Sequence, residues 1–354
     1  MKPKKWSLIY FTSLLTLAAA VIGINYSIDP FNIFHSKLLP YQFQMNERFM
    51  KIEYLEKNHQ KYDSYMFGSS RIGTTMPCVL ENYIPDSKFY NLTISGADSL
   101  DFLIHLQYFI KQNYMIKNLY LQIDIDSMHF YGHDTSNYLQ RPHPYVTKSS
   151  LVKFYLEYLT GYFPFNIEGK IKQNMLAKNE NEYSLETTGT WSRPKREARL
   201  QKNCKEYVLN EPSFHTKHER TVGAENIKKT IAALQKIKQL CDEHNINLYL
   251  FTTAQNHVMM DTFKVDDYLA FIKQLSEVTS FYDFSGYNSI TDNNCNYLEY
   301  SHYRAHVGAL IAARIFGDPS VDVPEDFGIH VDKNNVEEHI KQLREAIRLH
   351  DQDR

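Results

Sequence analysis

Two short stretches hold residue types able to carry out acyl chemistry. Residues 67–71 read Phe-Gly-Ser-Ser-Arg, and residues 299–303 read Glu-Tyr-Ser-His-Tyr. A serine hydroxyl is a poor nucleophile until a base takes its proton, and the base works best when a third group fixes its tautomer. Ser70 offers the hydroxyl, His302 the base, and Glu299 a carboxylate three residues ahead of that histidine. The Glu-x-x-His spacing puts both side chains on one side of a turn or of a first helical turn. Each fragment is common alone. As a pair they nominate a serine nucleophile served by a histidine and a glutamate.

Neighbouring residues widen the candidate site and leave alternatives open. Arg71 follows the nucleophile and either meets an anionic substrate group or pairs with Asp124 or Asp126. Asp283, at a predicted strand end, is a second candidate to orient His302. Asn256 and His257 lie on a predicted strand-end loop and are candidates for substrate contact. His306, one helical turn beyond His302, reads as a helix-surface histidine rather than a second base. Asp124, Asp126, His129 and His133 are metal-ligand types, but nothing in the sequence fixes the histidines near the carboxylates. No Cys-x-x-Cys occurs either, so neither a metal ion nor another cofactor is expected.

These residues need elements to hold them. The run Tyr62–Phe67 reads as a strand entering a core, so the Gly-Ser-Ser turn leaves a sheet edge. A strand over Lys88–Leu92, a turn at Gly96, a helix over Ser99–Asn113 and a strand over Asn118–Ile125 follow. Ile227, Ile231, Leu234, Ile237 and Cys241 share one helical face. Then come a strand (Leu248–Phe251), a helix (Val265–Val278), a strand (Phe281–Phe284) and a helix (Ala305–Phe316). Strands alternating with helices predict an α/β fold, a mainly parallel sheet flanked by helices. Its functional residues would gather at the carboxyl ends of the strands. Between about residues 127 and 218 the periodicity is lost, which marks an insertion with one helix near Leu151–Leu159. Its basic cluster (Arg193, Lys195, Arg196, Arg199) reads as a solvated loop before a site for an anionic polymer. Val336, Ile340, Leu343 and Ile347 predict an amphipathic helix in a C-terminal tail over 321–354.

At the other end, Lys2, Lys4 and Lys5 precede Trp6–Ile24, a stretch without charge. About 20 such residues suffice to cross a bilayer as a helix. The leading lysines favour an inside N-terminus and an extracytoplasmic remainder. Ala18-Ala19-Ala20 leaves a cleaved signal peptide open, but the apolar run continues past it to Ile24, which favours an anchor over residues 1–28. A linker and packing segment over 29–60 leads into the α/β domain of 61–320.

The 354 residues carry 39 basic and 41 acidic side chains, a formal charge of −2, so bulk charge drives no binding to nucleic acid or anionic lipid. The 26 tyrosines suit a sugar-binding surface, but a composition bias of the source genome is the favoured explanation of the count. Four cysteines (Cys78, Cys204, Cys241, Cys295) allow two disulfides in three full pairings, and Cys241 sits on the apolar face of a predicted helix as core.

The chain resembles the SGNH (GDSL-like) hydrolase superfamily, and within it a membrane-anchored branch whose first block reads Gly-Ser-Ser-Arg. The first block falls on Gly68-Ser69-Ser70-Arg71, the second on Asn91-Leu92-Thr93-Ile94-Ser95-Gly96, and the last on Glu299-x-x-His302. The Asp29-Pro30-Phe31 segment after the anchor fits as well. The resemblance implies an SGNH-like three-layer sandwich, Ser70 as nucleophile, His302 and Glu299 completing a triad, and an oxyanion hole from the N–H groups of Ser70 and Gly96. Relatives of this branch, the D-alanyl transfer and alginate O-acetylation proteins, work beside a membrane-bound O-acyltransferase. By resemblance, then, the expected function is an acyltransferase or esterase that modifies an envelope glycan or a lipid-linked polymer at the cell membrane. One block departs. The family's third block supplies an asparagine to the oxyanion hole, whereas the matching strand end here reads Ile123-Asp124-Ile125-Asp126. A carboxylate repels a developing oxyanion, and losing one donor costs about 10²–10³ in rate. The departure keeps open an alternative: a non-catalytic anchored protein that binds glycan or the acyltransferase.

Overall fold

In a computed structural model the described residues are 3–36, 45–132, 136–161 and 181–353. They fall into two compact units, one of residues 1–53 with 134–179, the other of 54–133 with 180–354. His133 lies outside the described residues.

The larger unit is built on a six-stranded sheet. Its strands are β1 (Ser64–Gly68), β2 (Phe89–Thr93), β3 (Asn118–Ile123), β6 (Asn247–Thr252), β7 (Phe281–Asp283) and β10 (Ile329–Val331), in the order β10-β7-β6-β3-β1-β2. Two short hairpins, β4 (Glu182–Tyr183) with β5 (Trp191–Ser192) and β8 (Tyr297–Glu299) with β9 (His302–Tyr303), stand outside it. All pairings in the main sheet are parallel except β10 on β7. The expected α/β class is therefore present, with an antiparallel edge strand formed by residues that the sequence placed in a helical tail.

Alternation along the strands divides the core. On β1, Tyr65 and Phe67 face the helix Ser99–Lys111, with Tyr65 4.8 Å from Phe109 and Phe67 6.3 Å from Phe102 between ring centroids. Met66, between them in sequence, joins Ile72, Tyr120, Phe251, Phe284, Val307 and Ile311 on the opposite face, under the helix Ala305–Phe316. Burial on both faces explains why these strands read as near-continuous apolar runs. Asp98 starts the helix Ser99–Lys111 by accepting the N–H groups of Leu100 (2.9 Å) and Asp101 (3.2 Å).

The strand order reverses between β1 and β3, the position at whose carboxyl ends sites of open parallel sheets gather. Ser70 follows β1, and Asp124 and Asp126 follow β3. Strand β3 ends at Ile123, two residues short of expectation, because residues 125–128 curl into a 3₁₀ turn.

Part of the insertion is more ordered than its sequence suggests. Residues 194–202 and 204–210 are helices, and a disulfide joins Cys204 to Cys295. Cys78 and Cys241 remain thiols, Cys241 in the core as expected. The basic cluster is no solvated loop. Arg196 pairs with Glu211 at 3.2 Å, Arg199 covers Tyr207, and Arg193 reaches Glu299.

In the smaller unit, one helix of 26 residues (Pro3–Ile28) is long and apolar enough to cross a membrane, and its side chains are largely exposed. Asp29 stops it, accepting N–H groups from Ile33 (2.8 Å), Phe34 (3.1 Å) and Ser36 (3.0 Å). The helix Leu151–Thr160 packs beside it, and Asn25 donates to the Leu159 carbonyl at 2.7 Å.

Candidate active site

The Ser70 turn is shaped by what brackets it. Residues 70–74 form a 3₁₀ turn whose entry is capped by Ser69. From β2, the Asn91 amide donates to the carbonyls of Ile72 and Thr75, both at 3.0 Å, and Thr93 donates to the Ser69 carbonyl at 2.6 Å. Trp191 reaches over from the insertion, its indole N–H donating to the Ser70 carbonyl at 3.0 Å. Only a residue without Cβ fits beneath that indole, since a Cβ at Gly73 would fall 1.9 Å from Trp191 Nε1. The turn is thus fixed by contacts on three sides, leaving Ser70 itself only partly buried.

The histidine and glutamate sit on a hairpin rather than a helical turn. β8 and β9 pair antiparallel with a bulge, and Glu299 lies directly opposite His302. His302 Nε2 is 2.7 Å from Ser70 Oγ, and its Nδ1 is hydrogen-bonded to Glu299 Oε1. Because the carboxylate can only accept, Nδ1 carries the proton and Nε2 faces the hydroxyl with its lone pair. The other oxygen of Glu299 accepts the Ser301 N–H at 3.0 Å, and Arg193 approaches Oε1 at 3.3 Å. Burial by itself would raise the Glu299 carboxyl. The His302 bond, together with Ser301 and Arg193, outweighs it and holds the group at about 2. Trp191 stands edge-on to the imidazole at 5.2 Å.

Arg71 is buried and pairs within the chain. Its guanidinium forms a fork on Asp126 (3.1 and 3.2 Å), meets Asp124 at 2.6 Å, and donates to the Ser301 carbonyl at 3.2 Å. Burial opposes its charge, but the two carboxylates more than compensate and raise its pKa. One side chain therefore ties the Ser70 turn, the end of β3 and the loop carrying His302. Asp124 is further held by Thr253 and by Gln122 at 3.1 Å, and Gln122 accepts the Tyr303 hydroxyl at 2.9 Å. Of the two alternatives for Arg71, the ion pair is the one found, and it includes both aspartates.

Gly96 adopts φ +63° on the loop after β2. That loop runs beside the Ser70 turn, with the Ile94 N–H on the Gly68 carbonyl at 3.0 Å. Three sequence expectations need correction. Asp283 does not orient His302: it is buried under the C-terminal helix, 2.7 Å from His339 Nε2, and also accepts from Thr252 and Ser285. Asn256 is fully buried and caps the helix His257–Met260 through Val258 N–H, so it cannot reach substrate. His257 bonds Asn294 at 3.2 Å and lines a cavity to which neither Ser70, His302 nor Glu299 contributes. His306 is exposed and reaches Asn296 at 3.0 Å, away from Ser70. His129 pairs with Glu225, not with Asp124 or Asp126.

The geometry permits one chemical event directly: transfer of the Ser70 proton to His302 Nε2 while the oxygen attacks a carbonyl. The bracing parts of Trp191, Arg193, Ser301 and Asn91 were not foreseen: Asn91, Ser301 and Arg193 stood inside quoted stretches without an assigned role, and Trp191 offered only its place beside the basic cluster in a stretch without periodicity. Comparison of the sequence with models of known protein families and with curated proteins found no match.

Proposed function

We propose that this chain is an SGNH-type serine acyltransferase or esterase, anchored by its N-terminal helix, that O-acylates or deacylates a cell-envelope glycan or lipid-linked polymer outside the cytoplasm. One observation carries the reading: Ser70 Oγ lies 2.7 Å from His302 Nε2, and Glu299 holds the opposite ring nitrogen. The parallel sheet, with the serine turn after β1 at the strand-order reversal, is the setting expected for such a site. The Cys204–Cys295 disulfide and the apolar helix support an oxidising, extracytoplasmic location.

The proposed chemistry follows from the hydrogen bonds. His302 takes the hydroxyl proton as Ser70 Oγ bonds to the acyl carbon, and Glu299 stabilises the imidazolium. The N–H groups of Ser70 and Gly96 receive the oxyanion. Collapse breaks the bond to the donor's leaving oxygen, which takes the proton from His302. A sugar hydroxyl or water then repeats the sequence on the acyl-enzyme. Arg71 draws Asp124 and Asp126 onto itself, so neither carboxylate is aimed at the oxyanion position. A membrane-bound O-acyltransferase is the proposed source of the acyl group.

An activated acetyl ester tests this reading. The full-length protein in detergent should gain one acetyl group on Ser70, and adding glycan acceptors should divide its fate between transfer and hydrolysis. Ser70→Ala, folded as judged by its melting transition, should lose at least about 10⁴-fold of the turnover. Undiminished turnover in that variant removes the nucleophile. Failure of the folded wild type to acylate would favour the binding or partner role.

A further inference from the structure

Away from the serine site, His257, Asp261 and His350 present three metal-ligand side chains whose donor atoms all lie within 4.8 Å of one another. The chain brings them together from two places. His257 begins the short helix His257–Met260 and Asp261 closes it, four residues on and so on the same side. His350 comes from the last turn of the C-terminal helix Val336–Asp353. His350 Nε2 stands 3.1 Å from Asp261 Oδ1, its N–H donating to the carboxylate, and a bound metal ion would displace that proton. Two ligands at 2.0–2.1 Å from a tetrahedral zinc ion sit about 3.3 Å apart, so this pair is already at the separation of neighbouring ligands.

The surrounding hydrogen bonds fix the tautomer of His257. The Asn256 side chain accepts the Val258 N–H through Oδ1, so its Nδ2 donates, at 2.8 Å, to Asn294 Oδ1. Asn294 Oδ1 is therefore an acceptor, and His257 Nε2, 3.2 Å away, must be the N–H donor. The lone pair of His257 consequently resides on Nδ1. A metal-bound imidazole has this arrangement, with one nitrogen on the ion and the other donating to an outer oxygen. Tyr287 orients the other two side chains. Its hydroxyl donates to Asp261 Oδ1 at 2.8 Å, and its ring stacks on His350 at 3.9 Å.

We propose that His257, Asp261 and His350 bind one divalent ion of the zinc class, with a fourth coordination position open to the cavity they line. Two imidazoles and a carboxylate suit zinc and its transition-metal neighbours, whereas calcium and magnesium prefer oxygen ligands. Three protein ligands leave a position for water or a ligand, and the cavity, about 340 Å³ and also lined by His215 and Lys217, gives that position room. Arg220 approaches Asp261 Oδ1 at 3.8 Å but gives its closer bonds to Tyr287 and Asp351, 2.8 and 2.7 Å. The site does not depend on the acyl-transfer reading. It would clip the C-terminal helix to the loop beyond β6.

Full-length protein in detergent, stripped with a chelator and titrated calorimetrically with Zn²⁺, tests the site. The expected result is one equivalent bound. His257→Ala and His350→Ala should each weaken binding at least 10-fold, and Asn294→Ala about 10- to 100-fold through the lost outer bond. Ser70→Ala should bind like the wild type. Co²⁺ should give the intense visible absorption of a tetrahedral ion. Should His257→Ala or His350→Ala fail to fold, the wild-type titration decides: no equivalent bound, or no Co²⁺ spectrum, overturns the proposal. Equal uptake by wild type and a folded His257→Ala/His350→Ala double variant overturns it as well, leaving a metal-free cluster balanced by Arg220.

Discussion

Two of the histidine–carboxylate pairs among the described residues differ in what surrounds them. Glu299 and His302 meet on a two-residue hairpin, and the imidazole's other nitrogen faces the Ser70 hydroxyl at 2.7 Å. Asp283 and His339 meet under the C-terminal helix, 2.7 Å apart, and the other nitrogen of His339 is buried without a hydrogen-bond partner. The pairs share their chemistry at one end only. A carboxylate beside an imidazole becomes machinery when the far nitrogen meets a nucleophile near solvent. Sealed in apolar packing, the same pair is a fastener between β7 and the helix Val336–Asp353.

Exchanging each carboxylate for its amide breaks the comparison most sharply. Glu299→Gln should lower acyl turnover about 10³–10⁴-fold, because the amide can hold the wrong tautomer of His302, with little change in melting temperature. Asp283→Asn should do the reverse, leaving turnover per folded molecule unchanged and removing about 1.5–3 kcal/mol of stability, because the amide cannot accept from His339, Thr252 and Ser285 as the carboxylate does. Turnover measured beside thermal unfolding separates the two. Equal loss of turnover in both variants would erase the distinction.

Arg71→Lys is next in size. A lysine cannot fork onto Asp126 while also holding Asp124 and the Ser301 carbonyl. Turnover should fall about 10- to 100-fold, as expected when the nucleophile turn and the His302 loop lose register by a fraction of an ångström. An unchanged rate would show that Asn91 and Trp191 alone fix the turn.

The fastener also has a pH signature. Burial would raise the Asp283 carboxyl, but His339, Ser285 and Thr252 together bring it below its ordinary value. A depressed folded-state pKa contributes stability above the unfolded value of about 3.9, and that stability is lost as pH falls through the folded value. Melting temperature should therefore drop on acidification below about pH 4, and Asp283→Asn should flatten that limb. A limb of the same slope in the variant assigns the acid transition elsewhere.

The smallest expected effect on rate comes from the disulfide. Reduction of Cys204–Cys295 releases a crosslink spanning 91 residues, worth about 2–4 kcal/mol, and should lower the melting temperature. Turnover should change only a few-fold, because Arg304, paired with Glu197 and bonded to the Cys295 carbonyl at 2.8 Å, still ties the insertion to the hairpin.

What the sequence disclosed followed from contiguity. Phe-Gly-Ser-Ser-Arg and Glu-x-x-His are readable because each is a contiguous fragment, although the two meet across 232 positions, and apolar runs marked β1, β3 and β6 because both faces of the sheet are covered. The misreadings came from long range. Trp191 reaches Ser70 across 121 positions and Arg193 reaches Glu299 across 106, and no local pattern announces either. Asp283 carried the right residue type at a strand end, but its partner, His339, comes from a helix 56 residues later. Asn256 sat on a plausible loop and proved to be a buried cap, since strand-end loops also hold residues that merely close the fold. The Glu-x-x-His spacing fitted a helical turn and a bulged hairpin equally well, and the bulge between Tyr297 and Glu299 gave the hairpin.

The most direct measurement is labelling of the intact protein with a fluorophosphonate, with the adduct located by mass spectrometry. A single adduct is expected on Ser70, slowed in Glu299→Gln and undiminished in folded Asp283→Asn. A folded wild-type protein that takes no adduct, or takes it on another residue, contradicts the assignment of Ser70 as nucleophile.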